Sequence, residues 1–170
     1  MKTIRQLLLD TIIYVAIIAF ILMFFHAYGG KIMGYLYGDH KGTIFVGDVS
    51  IVVSHANDQI EREQGLSGTV ELGESEGMFF TFDEESYHGM WMKDMNYPID
   101  ILWIDNDLKV IHIEENVLPE SYPATYFSHT PARFVLETNA YFVDIFRLAV
   151  GDKVSVPAAD LPPDLKANLR

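Results

Sequence analysis

Three charged side chains sit inside apolar runs of this chain and hold most of its chemical potential: Lys93 just after Trp91-Met92, Asp100 within Pro98-Ile99-Asp100-Ile101-Leu102-Trp103-Ile104, and Glu137 within Phe134-Val135-Leu136-Glu137-Thr138-Asn139. A charge inside an apolar layer is tolerated only when it is paired or hydrogen-bonded. Lys93, or Arg62 from a short helical stretch, is therefore expected to meet Asp100 or Glu137. Such a set admits three roles. It can be a structural ion pair that fixes strand register. It can be the polar part of a ligand pocket, with Arg62, Lys93, Asp100 and Glu137 converging beside the apolar platform of Trp91. Or the carboxyls of Asp100 and Glu137 can divide into acid and base, as glycoside cleavage requires, if their separation allows it.

Other constellations are weaker. His88, Met90 and Met92 alternate, so on a strand they share one face and present soft ligands suited to a cuprous ion. Methionine equally fills cores, and no metal site is assigned to these residues. His112 and Glu114 also share a strand face, and His129 is a possible third hard-metal ligand. Gly73-Glu74-Ser75-Glu76-Gly77 formally matches a nucleophile elbow, and Asp100 followed by His112 or His129 supplies the chain order of a hydrolase triad. The elbow needs a helix after its serine, however, and Met78-Phe79-Phe80-Thr81-Phe82 has a strand pattern, so this segment is read as an exposed acidic turn. Cysteine is absent, which removes thiolate catalysis, disulfides and cysteine-ligated metals. A formal charge of −12 argues against a nucleic-acid partner. No motif specifies a cofactor.

The elements that must position these residues fall into four parts. Residues 1–36 read as a membrane anchor, because Thr11 to Phe25 contains no charged residue. Extended to Tyr28, that run spans about 27 Å at about 1.5 Å per residue. The membrane contact is placed at residues 7–28, as a single pass. Lys2 and Arg5 precede the run, so the N-terminus is expected in the cytoplasm and the rest of the chain outside it. A cleaved signal peptide ending near Ala27-Tyr28-Gly29 is the competing reading, with export as the shared outcome. Residues 37–42 form a glycine-containing linker, 43–157 a β-rich exported domain and 158–170 a mobile tail. From Thr43 onward there are 22 acidic and 8 basic residues, so the negative charge is concentrated in the exported part.

Within that part the apolar pattern has mostly period two, which predicts an antiparallel sheet with one wet face. Strands are expected at residues 43–46, 49–54, 68–72, 78–82, 90–93, 99–104, 108–113, 133–138 and 154–156. Asn57 is expected to cap a helix over Asp58–Gln64 that stops at Gly65, and Asn139 to cap another over Ala140–Leu148. The predicted fold is mainly β with short helices. It forms a small antiparallel, partly closed barrel or sandwich behind one N-terminal transmembrane helix. The proline-rich segment Leu118 to Pro131 is expected to cover something.

Several blocks resemble the family catalogued as domain of unknown function 192: Arg62-x-x-Gly65-Leu66, Gly77-Met78-Phe79-Phe80-x-Phe82, Trp91-Met92-Lys93, Pro98-Ile99-Asp100-Ile101-x-x-Ile104-Asp105, Val135-Leu136-Glu137 and Gly151-Asp152-x-Val154. They follow the family's order across nearly all of the exported part. Departures from its pattern are Ser67, Met90, Asp94-Met95 and Tyr141. The resemblance implies a compact β-rich fold, often behind an export signal or anchor, and implies no particular reaction. The functional expectation is a membrane-anchored binding or envelope-associated module whose ligand or protein partner is unspecified. The alternatives are an envelope hydrolase using Asp100 and Glu137, and a copper-handling protein using His88, Met90 and Met92.

Overall fold

The computed structural model describes the backbone of residues 4–37 and 41–167, with side chains over 5–6, 10–24 and 41–166. Lys2, the side chains of Ala27 to Gly29, residues 38–40 of the expected linker and the last three residues lie outside the described residues. The chain divides into two units, Met1–Asp39 and His40–Arg170. The first is a helix of 34 residues, α1 (Ile4–Tyr37). Its side chains from Thr11 to Phe24 are all exposed, including Ile12, Tyr14, Ile18, Phe20 and Leu22, so it is apolar around its whole circumference. Among the described residues no helix is long and apolar enough to cross a membrane, and the continuous described side chains of α1 end at Phe24.

The second unit is a curled sheet. Its strands are β1 (Lys41–Val46), β2 (Val49–Ala56), β3 (Glu76–Ser86), β4 (Met90–Trp91), β5 (Ile99–Ile104), β6 (Val110–Val117), β7 (Thr125–Tyr126), β8 (Ala132–Asn139) and β9 (Val154–Ser155). Seven of them pair in the order β6-β5-β8-β3-β2-β1-β9, while β4 and β7 pair separately. The curl brings the two outer strands together at one end: Val110 N–H donates to Asp152 O at 3.0 Å and Val154 N–H to Leu108 O at 2.7 Å. The half-barrel expected from the alternation is therefore present, with its edges partly satisfied.

One pairing departs from the all-antiparallel expectation, since β2 and β3 run parallel. Parallel neighbours need a crossover of a dozen or more residues. The stretch between them contains the helix α2 (Gln59–Gln64). The expected strand at 68–72 does not form because the chain is still returning from that helix: Gly68 takes a left-handed φ of 75° and the Thr69 hydroxyl turns back to Leu66 O at 2.6 Å. The cap of α2 is Asp58 rather than Asn57. Its carboxylate accepts from Glu61 N–H, and the Glu61 side chain accepts in return from Asp58 N–H.

The expected wet face is kept on β1 and β2, where Phe45 and Val52 are exposed, and is lost in the middle of the sheet. Every residue of β5 is buried, as is every residue of β8 up to Thr138. Leu102, Ile104, Phe134, Leu136 and Phe79 belong to one apolar layer, while Ile99, Ile101, Trp103, Val135 and Phe80 belong to the other. Residues 158–167, assigned by sequence to a tail, are laid on the first layer. Leu161 is buried there, and Asp164 at the start of α4 (Pro163–Ala167) accepts from Arg133 Nη2 at 2.9 and 3.0 Å.

Asp100 faces that first layer, fully buried, and among the described residues no cation meets it. Its Oδ1 accepts from Asn116 N–H at 2.8 Å and Tyr141 N–H at 3.3 Å, and its Oδ2 from Val143 N–H at 2.9 Å. Asn116 has a φ of 52° where β6 slips register against β5. Val143 lies in the first turn of α3 (Phe142–Phe146), which has no capping side chain of its own. Asp100 supplies that cap from across the chain, and Asn139, expected in the role, instead donates to Leu72 O and Gly73 O.

Replacing Asp100 by Ala leaves one buried and two part-buried amides without their acceptor and is expected to lower unfolding free energy by about 2–4 kcal/mol. Asp100→Asn, which keeps one acceptor oxygen, should lose less. Equilibrium urea unfolding of the two variants checks the ranking.

Candidate functional site

Strand alternation decides which of the expected residues share a site. Asp100 pairs with Thr138, whereas Glu137 pairs with Ile101 on β5 and with Met78 on β3. Paired residues project to the same face, so the Asp100 and Glu137 side chains lie on opposite faces of the sheet. They cannot serve as acid and base at one bond, and the hydrolase built on that pair is ruled out by register.

On its own face, Glu137 lines a cavity of about 220 Å³ together with Arg62, Leu66, Phe80, Phe82, Met90, Trp91 and Met95. One wall is α2 and the turn after it. A second is β3, and the third is β4, which the segment from Leu118 onward buttresses through β7. This is what that proline-rich stretch covers. The walls are tied together: Ser67 Oγ donates to Lys93 O at 2.8 Å, Asn96 Nδ2 to Thr69 O at 2.8 Å, and the Thr69 and Tyr97 hydroxyls are 2.6 Å apart. Gly77 lets β3 approach closely beneath them, because a Cβ there would stand 2.7 Å from the Glu137 carbonyl oxygen. That close approach explains the second glycine of the elbow-like motif. β3 begins at Glu76, so no helix follows Ser75 and no nucleophile elbow is formed.

Glu137 is 4 % exposed, and among the described residues its carboxyl has no hydrogen bond and no ion pair. Burial alone pushes it up to about 8. The expected partner, Arg62, is committed elsewhere. Its Nη1 donates to Asn57 O at 2.7 Å and Thr81 O at 2.8 Å, and its guanidinium carbon lies 5.3 Å from the centre of the Phe82 ring. These carbonyls anchor α2 to β3 and leave the guanidinium at the rim.

Lys93 also fails to reach either carboxylate. β4 ends at Trp91 and Asp94 has a φ of 54°, so the turn carries Lys93 outward into a separate hollow lined by Glu63, Gln64 and Ser67. Of the five residues expected to bind ligand, Arg62, Trp91 and Glu137 share the pocket, and Lys93 and Asp100 do not. Phe80, Phe82, Met90 and Met95 were not foreseen as lining. The signal that could have found two of them is the block Gly77 to Phe82, where period two places Phe80 and Phe82 on one face.

The metal alternatives dissolve into packing. His88 stacks on Phe82 with ring centres 3.5 Å apart, its Nε2 is 3.0 Å from Glu84 O, and burial lowers its pKa. Met90 and Met92 are both buried in the second apolar layer, where they pack among core side chains. His112 Nε2 lies 3.1 Å from Glu114 Oε1, and its ring meets His129 edge-on at 4.6 Å. Among the described residues no group of three or more His, Asp or Glu is placed to hold a metal ion.

The raised Glu137 pKa implies a pH dependence of stability. The unfolded carboxyl ionises near 4.5 and the folded one near 8, so the native state holds the extra proton between those values. Stability from this group is fully present below about pH 4.5 and falls by several kcal/mol as pH rises to about 8. Glu137→Gln should remove that part of the slope. Unfolding of both proteins across this range is the check, and parallel curves would refute it.

The profile of the DUF192 family, described as Uncharacterized ACR, matches residues 43–156. A crystal structure from Sinorhizobium meliloti 1021, of a protein provisionally described as a transcription regulator, is 32 % identical with a TM-score of 0.66, covering 69 % of this chain and 95 % of that one. A protein of unknown function from Novosphingobium aromaticivorans DSM 12444 is 27 % identical with a TM-score of 0.64, covering 68 % and 85 % respectively. No curated protein matches the chain. Residues from four of the blocks noted in the sequence, Arg62–Leu66, Gly77–Phe82, Trp91–Lys93 and Val135–Glu137, converge on the one cavity. With its profile matched over most of the chain and a relative covered almost end to end, this protein belongs to the DUF192 family.

Proposed function

We propose that this protein is a membrane-anchored binding module that captures a small ligand in the Glu137 pocket. The observation that carries the reading is a buried carboxyl, without a protein partner, lining a cavity with apolar walls. An unsatisfied buried polar group costs stability, and a ligand that satisfies it recovers that free energy on binding. The cavity is smaller than the roughly 300–1,000 Å³ of most small-molecule sites. Its occupant is therefore small, or is one side-chain-sized group of a larger molecule.

Anchoring is supported by α1. From Thr11 to Gly30 the chain has no Asp, Glu, Lys or Arg, and the exposed side chains to Phe24 are predominantly apolar, which is unfavourable in water and favourable in hydrocarbon. Lys2 and Arg5 orient such a helix with its N-terminus in the cytoplasm and the β domain on the outer side, within the envelope. The excess of acidic over basic residues in that domain speaks against nucleic acid as its partner, so the description of the Sinorhizobium relative is not carried over.

Two measurements test the reading. The full chain in detergent, screened against small metabolites and envelope building blocks, should gain about 2.7 kcal/mol of stability with a ligand at about 100 times its dissociation constant. The gain should disappear in Met95→Trp, which fills the cavity. After alkaline extraction of cells the chain should stay with the membrane pellet, and its release would overturn the anchoring.

A further inference from the structure

We infer that the ligand group taken by this pocket is a short alkylammonium, its nitrogen against the Glu137 carboxylate and its carbons against Phe80, Met90 and Met95. This deepens the binding reading and rests on it. An ionised carboxylate only accepts hydrogen bonds, and none of the described residues supplies a donor to this one. The walls favour the same sign of charge. Phe80 and Trp91 offer aromatic rings, whose faces carry negative potential, and Met90 and Met95 offer polarizable sulfur.

The lining guanidinium of Arg62 keeps its charge, and the lining carboxyls of Glu63 and Glu137 outnumber it. Arg62 has its Nη1 bound to two carbonyls and lies over Phe82. Glu63 adds a second carboxylate among the lining residues, and the acidic surface of the domain raises the local concentration of cations. An anion would meet Arg62, but also the lining carboxyls of Glu63 and Glu137, and would leave the aromatic walls unmatched. A cation meets the carboxylate and the aromatic walls, at a largely buried group where an ion pair is stronger than in water.

Binding then has a proton balance. Near neutrality burial keeps Glu137 protonated, with a pKa of about 8. The incoming ammonium stabilises the ionised form, so the carboxyl O–H breaks, its proton leaves to buffer, and the carboxylate accepts from the ammonium N–H. The alkylammonium keeps its own charge throughout.

The test is titration calorimetry of the full chain in detergent with n-butylammonium, n-butanol and butyrate, in phosphate and in Tris at pH 7. n-Butylammonium should bind at least about tenfold more tightly than n-butanol, release close to one proton per cation bound, and gain about tenfold in affinity per pH unit up to about 8. Glu137→Gln, shaped like the protonated acid, should abolish the proton release and weaken the cation at least about tenfold. Three results would overturn the inference: n-butanol or butyrate binding as well as the cation, cation binding without proton release, or no cation binding up to about 10 mM. If n-butanol or butyrate binds and Glu137→Gln abolishes it, the pocket stands and only the charge assignment fails. If Met95→Trp leaves all binding unchanged, the pocket itself is refuted.

Discussion

The buried Asp100 carboxylate, with backbone amides on both of its oxygens, is the interaction that joins the parts of this domain. It sits on β5, takes an amide from the register slip in β6, and takes two from the entry to α3, so one side chain joins a sheet edge to the helix that covers it. The Val143 amide would otherwise be a buried donor without an acceptor, and those of Asn116 and Tyr141 part-buried ones. Backbone amides occupy both oxygens, and Asp100 is therefore a structural group.

Glu137 is the counterpart, one strand away and on the other face. Both are carboxylic acids embedded in apolar runs, and their environments differ in one respect: backbone donors surround Asp100, and no donor meets Glu137. The first stays satisfied within the protein, while the second is held protonated near neutral pH and looks into a cavity. A carboxyl in that state is a cost to the empty protein. The cost becomes useful when another molecule supplies the missing partner.

The cavity exists because the middle of the sheet is covered on both faces. A purely antiparallel meander with one wet face would leave Glu137 in water. The crossover through α2 makes β2 and β3 parallel and carries Arg62 and Leu66 over the second face. The pairing of β4 with β7 closes the other side with Met90 and Trp91. Local capping chemistry at Asp58 and Glu61 starts the helix, and the two carbonyls that Arg62 grips hold it down.

Much of this was legible in the chain. Period-two runs located β1, β2, β5 and β8 to within two residues at either end, because alternation and β-branched content are local properties. Arg62, Trp91 and Glu137 were picked out by type, and the ordered blocks pointed to the family. Partners were not legible. Lys93 and Arg62 looked equally able to meet Asp100 or Glu137, since spacing along the chain does not say which backbone amides a carboxylate will find. Asn57 and Asn139 were plausible caps by type, yet Asp58 and the distant Asp100 took those roles. The parallel pairing, the second covered face and the separation of the two carboxylates are decided by contacts between segments far apart in the chain. Residue type and period set what each strand can present. Only the packed fold settles what it faces.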